Sequence, residues 1–216
     1  MKFFLSASLY LGLFSMFSVH AVESYKNPVV VFETNMGNIV IEVKSKQAPI
    51  TSAYFLSFID QGKFNGTSFF RSGSNKKDGK LQFLEGGLVG EFILNGKLTS
   101  IKETKLPTLA NYDTTETSKL KHQVGTVSMG RDLLETGNAL PDIFICLDDI
   151  PSFDQNLVED PKSRGFPAFA VVIEGMDIAK IMANQERKGY THIPFLQGQI
   201  LTTPVTIVHA YRSEQN

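Results

Sequence analysis

The sequence is poor in cysteine, in tryptophan and in net charge. Its single cysteine, Cys146, excludes an internal disulfide, and because it lies in the apolar run IFICL we expect a buried structural thiol. A formal net charge of −1 gives no electrostatic footprint for nucleic acid. Stability must therefore come from packing, and 216 residues with 42% hydrophobic content suffice for a substantial core.

Histidine is scarce as well, and its distribution argues against a metal centre. Beyond the first 21 residues, His122, His192 and His209 are scattered without metal-ligand spacing. The run GTVSMG invites comparison with a nucleophile elbow, but its first glycine stands one place too far from Ser128. We therefore expect no metal, no other cofactor and no hydrolase chemistry.

A long apolar run occurs at the start of the chain. After Met1-Lys2 the sequence reads FFLSASLYLGLFSMFSV and closes on Val19-His20-Ala21, the pattern of a secretory signal cleaved after Ala21. A retained membrane anchor is the alternative, but the run is short for a span, is broken by serines and has a weak positive flank. The leader carries one lysine and no acid, so the exported chain would have a net charge of −2.

Residues 22–216 are expected to form one domain rich in β-structure. The segment VVVFETNMGNIVIEV predicts a hairpin around Asn35-Met36-Gly37-Asn38, with Ile39, Ile41 and Val43 on its apolar face. Asn65-Gly66 predicts a turn into the short strand TSFF. Further β-like runs are LQFLEGG, EFILNG, VGTVSMG, DIFICLDD, FAVVIEG and PVTIVHAYR.

Two segments, APITSAYFLSFIDQGKF and MDIAKIMANQ, carry apolar residues at helical spacing and predict helices. Two polar stretches, from Thr99 to His122 and from Asp154 to Gly165, predict surface loops. Many strands, two helices and frequent turns favour a mainly β fold, a closed antiparallel barrel whose open ends are plugged by helices.

Four stretches stand out together: FETNMGNIVIEV, APITSAYFLSFIDQGKFNGTSFFR, GTVSMGR, and IFICLDDIPSFD followed by FAVVIEGMDIAKI. In combination they resemble the cyclophilin family of peptidyl-prolyl isomerases, especially its exported bacterial members. The resemblance covers residues from about Val29 to Tyr211. It implies an eight-stranded barrel capped by two helices, with a peptide groove on the outer wall rather than in the lumen.

The resemblance also implies a site. The family's aromatic-histidine-arginine tripeptide stands here as Phe69-Phe70-Arg71, so it keeps the catalytic arginine and has Phe70 in place of the histidine, where we expect it to contact substrate. The remaining implied substrate-binding positions are Phe144 at the floor of the proline pocket, Phe153, Gly130 after the serine-methionine pair, Phe166 as the wall nearer the carboxyl end, Phe83 as a further wall residue, and the two acids Glu85 and Asp142.

Several positions depart from the family pattern. Glu85 and Asp142 stand where the family has glutamines, Arg131 stands for an asparagine, and Ser152 stands for a tryptophan. The loop between Arg71 and Glu85 is also longer than usual. A carboxylate beside the arginine could form a bidentate pair with its guanidinium and compete with the substrate, which predicts weak activity on short proline peptides.

The residues suit the chemistry of the X-Pro bond. Amide resonance opposes rotation by about 18 to 20 kcal/mol, and no bond needs to break. A guanidinium can donate to the nitrogen of the twisted amide while an apolar pocket holds the ring. Strand alternation leaves open whether Phe144, or instead Ile143 and Ile145, points into the barrel.

We therefore expect a peptidyl-prolyl cis-trans isomerase that acts on proline-containing peptides or unfolded exported proteins. It would be a periplasmic or secreted monomer, with no bound nucleic acid and no membrane association after signal cleavage. The alternative is a cyclophilin-like module that binds peptide or protein without useful catalysis. The missing histidine, the added acids Glu85 and Asp142 and the longer loop support that alternative, whereas Arg71 and the pocket phenylalanines favour an enzyme.

Overall fold

A computed structural model describes residues 26–96, 104–155 and 164–214. The predicted signal peptide, residues 1–21, and most of the predicted loop from Asp154 to Gly165 lie outside the described residues. Across the described ranges, none of the helices has the length and apolar character needed to cross a membrane.

Eight antiparallel strands close into one barrel, in the order β1-β2-β7-β5-β6-β4-β3-β8. This confirms the predicted fold class. The strands are β1 Val29–Thr34, β2 Gly37–Val43, β3 Ser68–Ser74, β4 Leu81–Gly87, β5 Thr126–Arg131, β6 Ala139–Cys146, β7 Ala168–Glu174 and β8 Ile200–Arg212.

The predicted hairpin joins β1 to β2, and its turn is fixed by local hydrogen bonds. The Thr34 hydroxyl donates to the carbonyl of Gly37 at 2.6 Å and accepts the Met36 N–H at 3.1 Å. Gly37 has a φ of +127°, a backbone conformation that residues with a Cβ rarely adopt. From this turn β2 runs with Ile39, Ile41 and Val43 fully buried in the lumen core, as its alternation predicts.

Both predicted helices pack on the barrel. Helix α1, Pro49–Asp60, contacts β7 and β8 and buries Phe55 in the lumen core, within 4.7 Å of the Phe169 ring centroid. Pro49 suits the first turn, where an N–H would lack a helical partner. The helix Met176–Ala183 contacts β2, β3 and β4 and contributes Met182 to the same core.

One predicted strand is wrong, because residues 91–94 of the run EFILNG belong to the short helix α2, Gly90–Leu94. An apolar run of this length does not distinguish the two conformations by its periodicity. Here β4 ends at Gly87, and the buried Asp142 carboxylate accepts the Val89 N–H at 2.7 Å just before the helix starts. This tertiary contact starts a helical turn rather than a ninth strand.

The predicted surface excursion between Thr99 and His122 is also partly wrong. Within its described part, Tyr112, Asp113 and His122 are buried. The Asp113 carboxylate accepts the N–H of Thr51 at 2.8 Å and so satisfies an otherwise unpaired donor in the first turn of α1. The same stretch forms helix α3, Thr115–Ser118, which makes the helix Met176–Ala183 α4.

Candidate active site

An aromatic hollow of about 340 Å³ opens on the outer wall of the barrel. Seven of the nine residues predicted for the site line it. They are Arg71, Phe83, Glu85, Gly130, Phe144, Phe153 and Phe166; the other lining residues are Arg131, Leu133, Ser152 and Phe195.

Strand β6 supplies the floor of the hollow. Ile143 and Ile145 belong to the lumen core, whereas Phe144 belongs to a separate cluster on the outer wall with Phe83 and Cys146. The pleat of β6 therefore settles the alternative that its sequence leaves open. Cys146 is fully buried there, as its apolar run predicts, and burial raises the pKa of its thiol.

The walls of the hollow are aromatic rings that support one another. The Phe144 ring meets Phe153 at 5.6 Å between centroids and 84° between planes, and meets Phe166 at 5.3 Å and 90°. Phe153 and Phe166 lie 4.7 Å apart. Edge-to-face packing of this kind orients the rings and presents their apolar surface to the hollow.

Arg71 reaches the hollow because β3 is irregular at this point. The pairing of β3 shifts register between Phe69 and Arg71 against both β4 and β8. Phe69 fills the lumen core, and Arg71 then lies with its guanidinium carbon 4.9 Å from the centroid of the Phe83 ring. Gly73 makes room for that ring, since a Cβ there would lie 2.3 Å from Phe83 Cε1. A bulge that aims a side chain is common beside functional sites.

Two groups hold the Arg71 guanidinium. Nη1 donates to Glu85 Oε2 at 2.5 Å, and Nε and Nη2 both donate to Gln199 Oε1, at 3.0 and 2.7 Å. The Arg71 and Glu85 side chains are only 20% and 13% exposed, so the pair is partly shielded from water. The predicted contact with Glu85 is present, but it uses one carboxylate oxygen and one nitrogen rather than a bidentate pair.

Asp142 does not take the predicted part in this network. Its side chain does not line the hollow, and it makes no hydrogen bond or ion pair with Arg71 among the described residues. Burial, and secondly the charge of Glu85, raise the pKa of Asp142 well above its ordinary range. The sequence interpretation fails here because β6 turns this carboxylate toward the start of α2.

Phe70 also lies outside the hollow. It is fully buried in a third cluster with Val89, Ile93 and Ile200, beneath α2. A Cβ on Gly90 would lie 2.3 Å from Phe70 Cδ1, which shows how closely the helix covers the ring. The residue in place of the family's histidine therefore supports the wall from behind, and the expectation that it contacts substrate is corrected.

A family model described as cyclophilin type peptidyl-prolyl cis-trans isomerase matches residues 29–211. The chain belongs to this family. A peptidyl-prolyl cis-trans isomerase of Acinetobacter baylyi is 30% identical over 176 residues, which is 81% of this chain and 80% of that protein. Peptidyl-prolyl cis-trans isomerase A of Dickeya dadantii is 24% identical over 171 residues, 76% of this chain and 77% of that protein.

Solved structures of other proteins superpose on this barrel. A cyclophilin type peptidyl-prolyl cis-trans isomerase of Cryptosporidium parvum superposes with a TM-score of 0.62 at 15% identity, covering 88% of this chain and 99% of that one. At this identity the likeness shows the cyclophilin fold. Family and relatives together identify the enzyme as a peptidyl-prolyl cis-trans isomerase.

The cyclophilin site includes a buried histidine that sequence reasoning passed over. The His122 ring stacks on Phe144 at 5.8 Å and 16°. Its Nδ1 lies 2.7 Å from Asp154 Oδ1 and its Nε2 lies 3.2 Å from Ser128 Oγ. Because a carboxylate only accepts, the neutral ring donates from Nδ1 and accepts the serine hydroxyl at Nε2. Burial lowers the pKa of His122 against the opposing effect of Asp154.

These hydrogen-bonded serine, histidine and aspartate side chains do not form a hydrolytic triad. Ser128 is completely buried, so its hydroxyl meets no substrate. The three groups instead fix the ring beneath Phe144. Asp154 follows His122 by 32 residues, so no local pattern could have revealed the contact.

The chain before β8 builds a side of the hollow that no sequence pattern predicted. Phe195 lines the hollow from the 3-10 turn Pro194–Leu196, and Gln199 binds Arg71 from the same segment. Nothing local marks these residues, since Gln199 is 128 positions from its arginine. In the described residues, no group of histidine, cysteine and carboxylate side chains has the arrangement of a metal site.

Proposed function

We propose that the hollow binds the proline ring of an X-Pro segment and that Arg71 assists rotation about the preceding peptide bond. The carrying observation is the guanidinium held at the edge of an apolar hollow of about 340 Å³, 4.9 Å from the Phe83 ring. The C. parvum cyclophilin was also solved in the presence of the dipeptide Ala-Pro, which supports a proline-containing ligand for this fold.

The chemistry follows from the loss of resonance in the rotated bond. As the C–N bond twists, its nitrogen regains a lone pair and becomes a better acceptor for an N–H of Arg71. Phe144, Phe153 and Phe166 exclude water that would favour the planar dipole. A hydrogen bond to a charged group contributes about 1.5 to 3 kcal/mol, which corresponds to about one or two decades in rate.

The donors of Arg71 are partly occupied in the absence of substrate. A guanidinium has five N–H groups, and three of them point to Glu85 and Gln199. Two N–H groups remain for a substrate, so Arg71 can act without leaving its partners. The negative charge of Glu85 still weakens the pull of the guanidinium on a neutral amide, which supports low activity on short peptides.

Replacing Arg71 tests this proposal. We expect Arg71→Ala to lower kcat/KM by about 10- to 100-fold in a protease-coupled assay on a proline tetrapeptide. Arg212→Ala is the matched control, because Arg212 pairs with Asp60 elsewhere on the surface and should leave the rate unchanged. Equal activity of the parent and Arg71→Ala would overturn the role of the cation.

We further propose that the enzyme works on exported proteins in the periplasm or outside the cell. The support is the three-part pattern of residues 1–21. Its partners would be unfolded chains presenting proline, and the mature enzyme would act away from the membrane. A monomer suits this role, since the eight described strands pair around a closed ring and none offers a free edge to a second copy.

A further inference from the structure

The side of the hollow formed by the segment before β8 carries an exposed aromatic ring. Ile193 and Leu196 are buried in the same cluster as Phe70, 8% and 3% exposed, while Phe195 between them is 54% exposed and lines the hollow. Single exposed apolar residues are common, so exposure alone indicates little. What distinguishes Phe195 is that two buried neighbours anchor its backbone and direct it toward the site.

Gln199 ties this segment to the cation. Its Oε1 accepts from Nε and Nη2 of Arg71, and its Nε2 donates to the carbonyl oxygen of Phe195 at 2.7 Å. The orientation of the amide is fixed by its partners, because a guanidinium only donates and a carbonyl only accepts. One side chain therefore sets both the guanidinium and the backbone that presents the Phe195 ring.

A second apolar side chain lies on the rim of the same hollow. Leu133 follows β5 and is 49% exposed. With a proline ring against Phe144, the neighbouring residue of the peptide lies about 3.8 Å along the chain. The rim of the hollow, lined by Leu133 and Phe195, therefore offers apolar contacts to a residue next to the proline.

We propose that Phe195 is a specificity-determining residue that selects an apolar side chain next to the proline, and that Gln199 is the positioning residue that couples this subsite to Arg71. This inference rests on the proposed binding of proline in the hollow. The expected ligand is an extended peptide whose proline is flanked on one side by leucine, methionine or an aromatic residue. Burying such a side chain against the ring is expected to change kcat/KM by about tenfold.

Two peptide series test the subsite, Ala-X-Pro-Ala and Ala-Ala-Pro-X, with X as glycine, leucine, phenylalanine or glutamate, followed by NMR exchange spectroscopy. The parent enzyme is expected to prefer leucine and phenylalanine over glycine by about tenfold in one series. Phe195→Ala should reduce that ratio to about twofold or less. Tyr190→Ala is the matched control, since Tyr190 is 75% exposed and does not line the hollow, and it should keep the full preference.

A variant that gains a new preference excludes misfolding as the reason why Phe195→Ala loses the old one. Phe195→Lys should favour glutamate at the selected position over leucine, a result that an unfolded variant cannot give. No preference in either series for the parent enzyme, or a preference that survives Phe195→Ala, would overturn the subsite. Failure of the Arg71 assignment is a separate result, because it is read from Arg71→Ala on the glycine peptides.

The positioning role of Gln199 has its own readout. Gln199→Leu should lower kcat on every peptide and lose the preference at the same time, with an unchanged melting temperature. Gln199→Glu keeps an acceptor for Arg71 but cannot donate to the Phe195 carbonyl, so it should lose the preference, and its added negative charge should lower the rate as that of Glu85 does. If both Gln199 variants keep the preference, the segment holds Phe195 in place without the help of Gln199.

Discussion

At the scale of single residues, the behaviour of this cyclophilin depends on what surrounds one cation. Arg71 has a carboxylate on one side, an amide on the other and the Phe83 ring 4.9 Å away. A charged acceptor binds a guanidinium more strongly than a neutral amide does. With the proposed role of Arg71, the acid at position 85 would lower the electrostatic stabilisation that the guanidinium can give to the rotated bond.

Replacing Glu85 by Gln should raise turnover. The substituted amide still accepts from Arg71 Nη1, but it leaves the positive charge unneutralised. Since charged and neutral hydrogen bonds differ by about 1 kcal/mol, we expect kcat/KM to rise about fivefold. The protease-coupled assay measures this directly. Turnover that stays equal or falls would show that Glu85 does not restrain the cation.

Asp142 offers a prediction about pH rather than turnover. Its folded pKa is raised above the ordinary value of 3.8, so the folded protein binds more protons than the unfolded chain at pH values above 3.8. The contribution of Asp142 to the free energy of unfolding therefore falls as the pH rises from 3.8 to the raised pKa of the folded state. Asp142→Asn removes the penalty and can keep the acceptor for Val89.

We expect the Asn variant to melt at a higher temperature than the parent at pH 7 and to lose that advantage at pH 4. Thermal unfolding at the two pH values checks the sign. An advantage that is larger at pH 4 would mean that Asp142 is ionised in the fold.

At the scale of elements, the packing of α2 on β3 supports the wall of the site. Gly90 brings the helix backbone onto the Phe70 ring, with 2.3 Å between a constructed Cβ and Phe70 Cδ1. Phe70 in turn lies in the strand that carries Arg71. Overpacking at this contact should displace β3 and with it Arg71, because a close-packed interior has no free volume to absorb the added atoms.

Gly90→Ala is therefore expected to destabilise the fold by about 1 to 3 kcal/mol. Gly130→Ala is the control for stability, since its Cβ would lie at an ordinary 3.4 Å from Glu85 Oε1. Urea unfolding measures both. A partial rescue of Gly90→Ala by Phe70→Leu would locate the clash, whereas equal stability of the two alanine variants would refute it.

At the scale of the whole molecule, the barrel separates stability from function. The lumen core unites β-strands and helices, while the aromatic cluster of the site lies on the outer wall and is a separate group of residues. The acidic and rim residues of the site can therefore be substituted without disturbing the lumen core. This arrangement suits a chain whose single cysteine excludes an internal disulfide.

Export is testable on the intact chain. Expressed in a Gram-negative host, the full sequence should yield a periplasmic protein that begins at Val22, as measured by intact mass. A chain lacking residues 1–21 should stay in the cytoplasm. Recovery of the uncleaved mass in the membrane fraction would instead identify residues 1–21 as an anchor.

Local patterns and the family resemblance were sufficient to predict the barrel and much of the site. Alternation at Ile39, Ile41 and Val43 and helical spacing in α1 are local patterns, and they predicted the elements correctly. The family resemblance placed Arg71, Phe144 and most of the aromatic wall.

The contacts that join distant parts of the chain could not be predicted in this way. Asp142 turned to α2, Phe70 was covered by that helix, His122 entered beneath the floor, and Gln199 reached Arg71. Each outcome depends on which strand neighbours which in the closed barrel. A local pattern predicts which face of a strand is buried but not which strand lies next to it. These contacts therefore became known only from the folded structure.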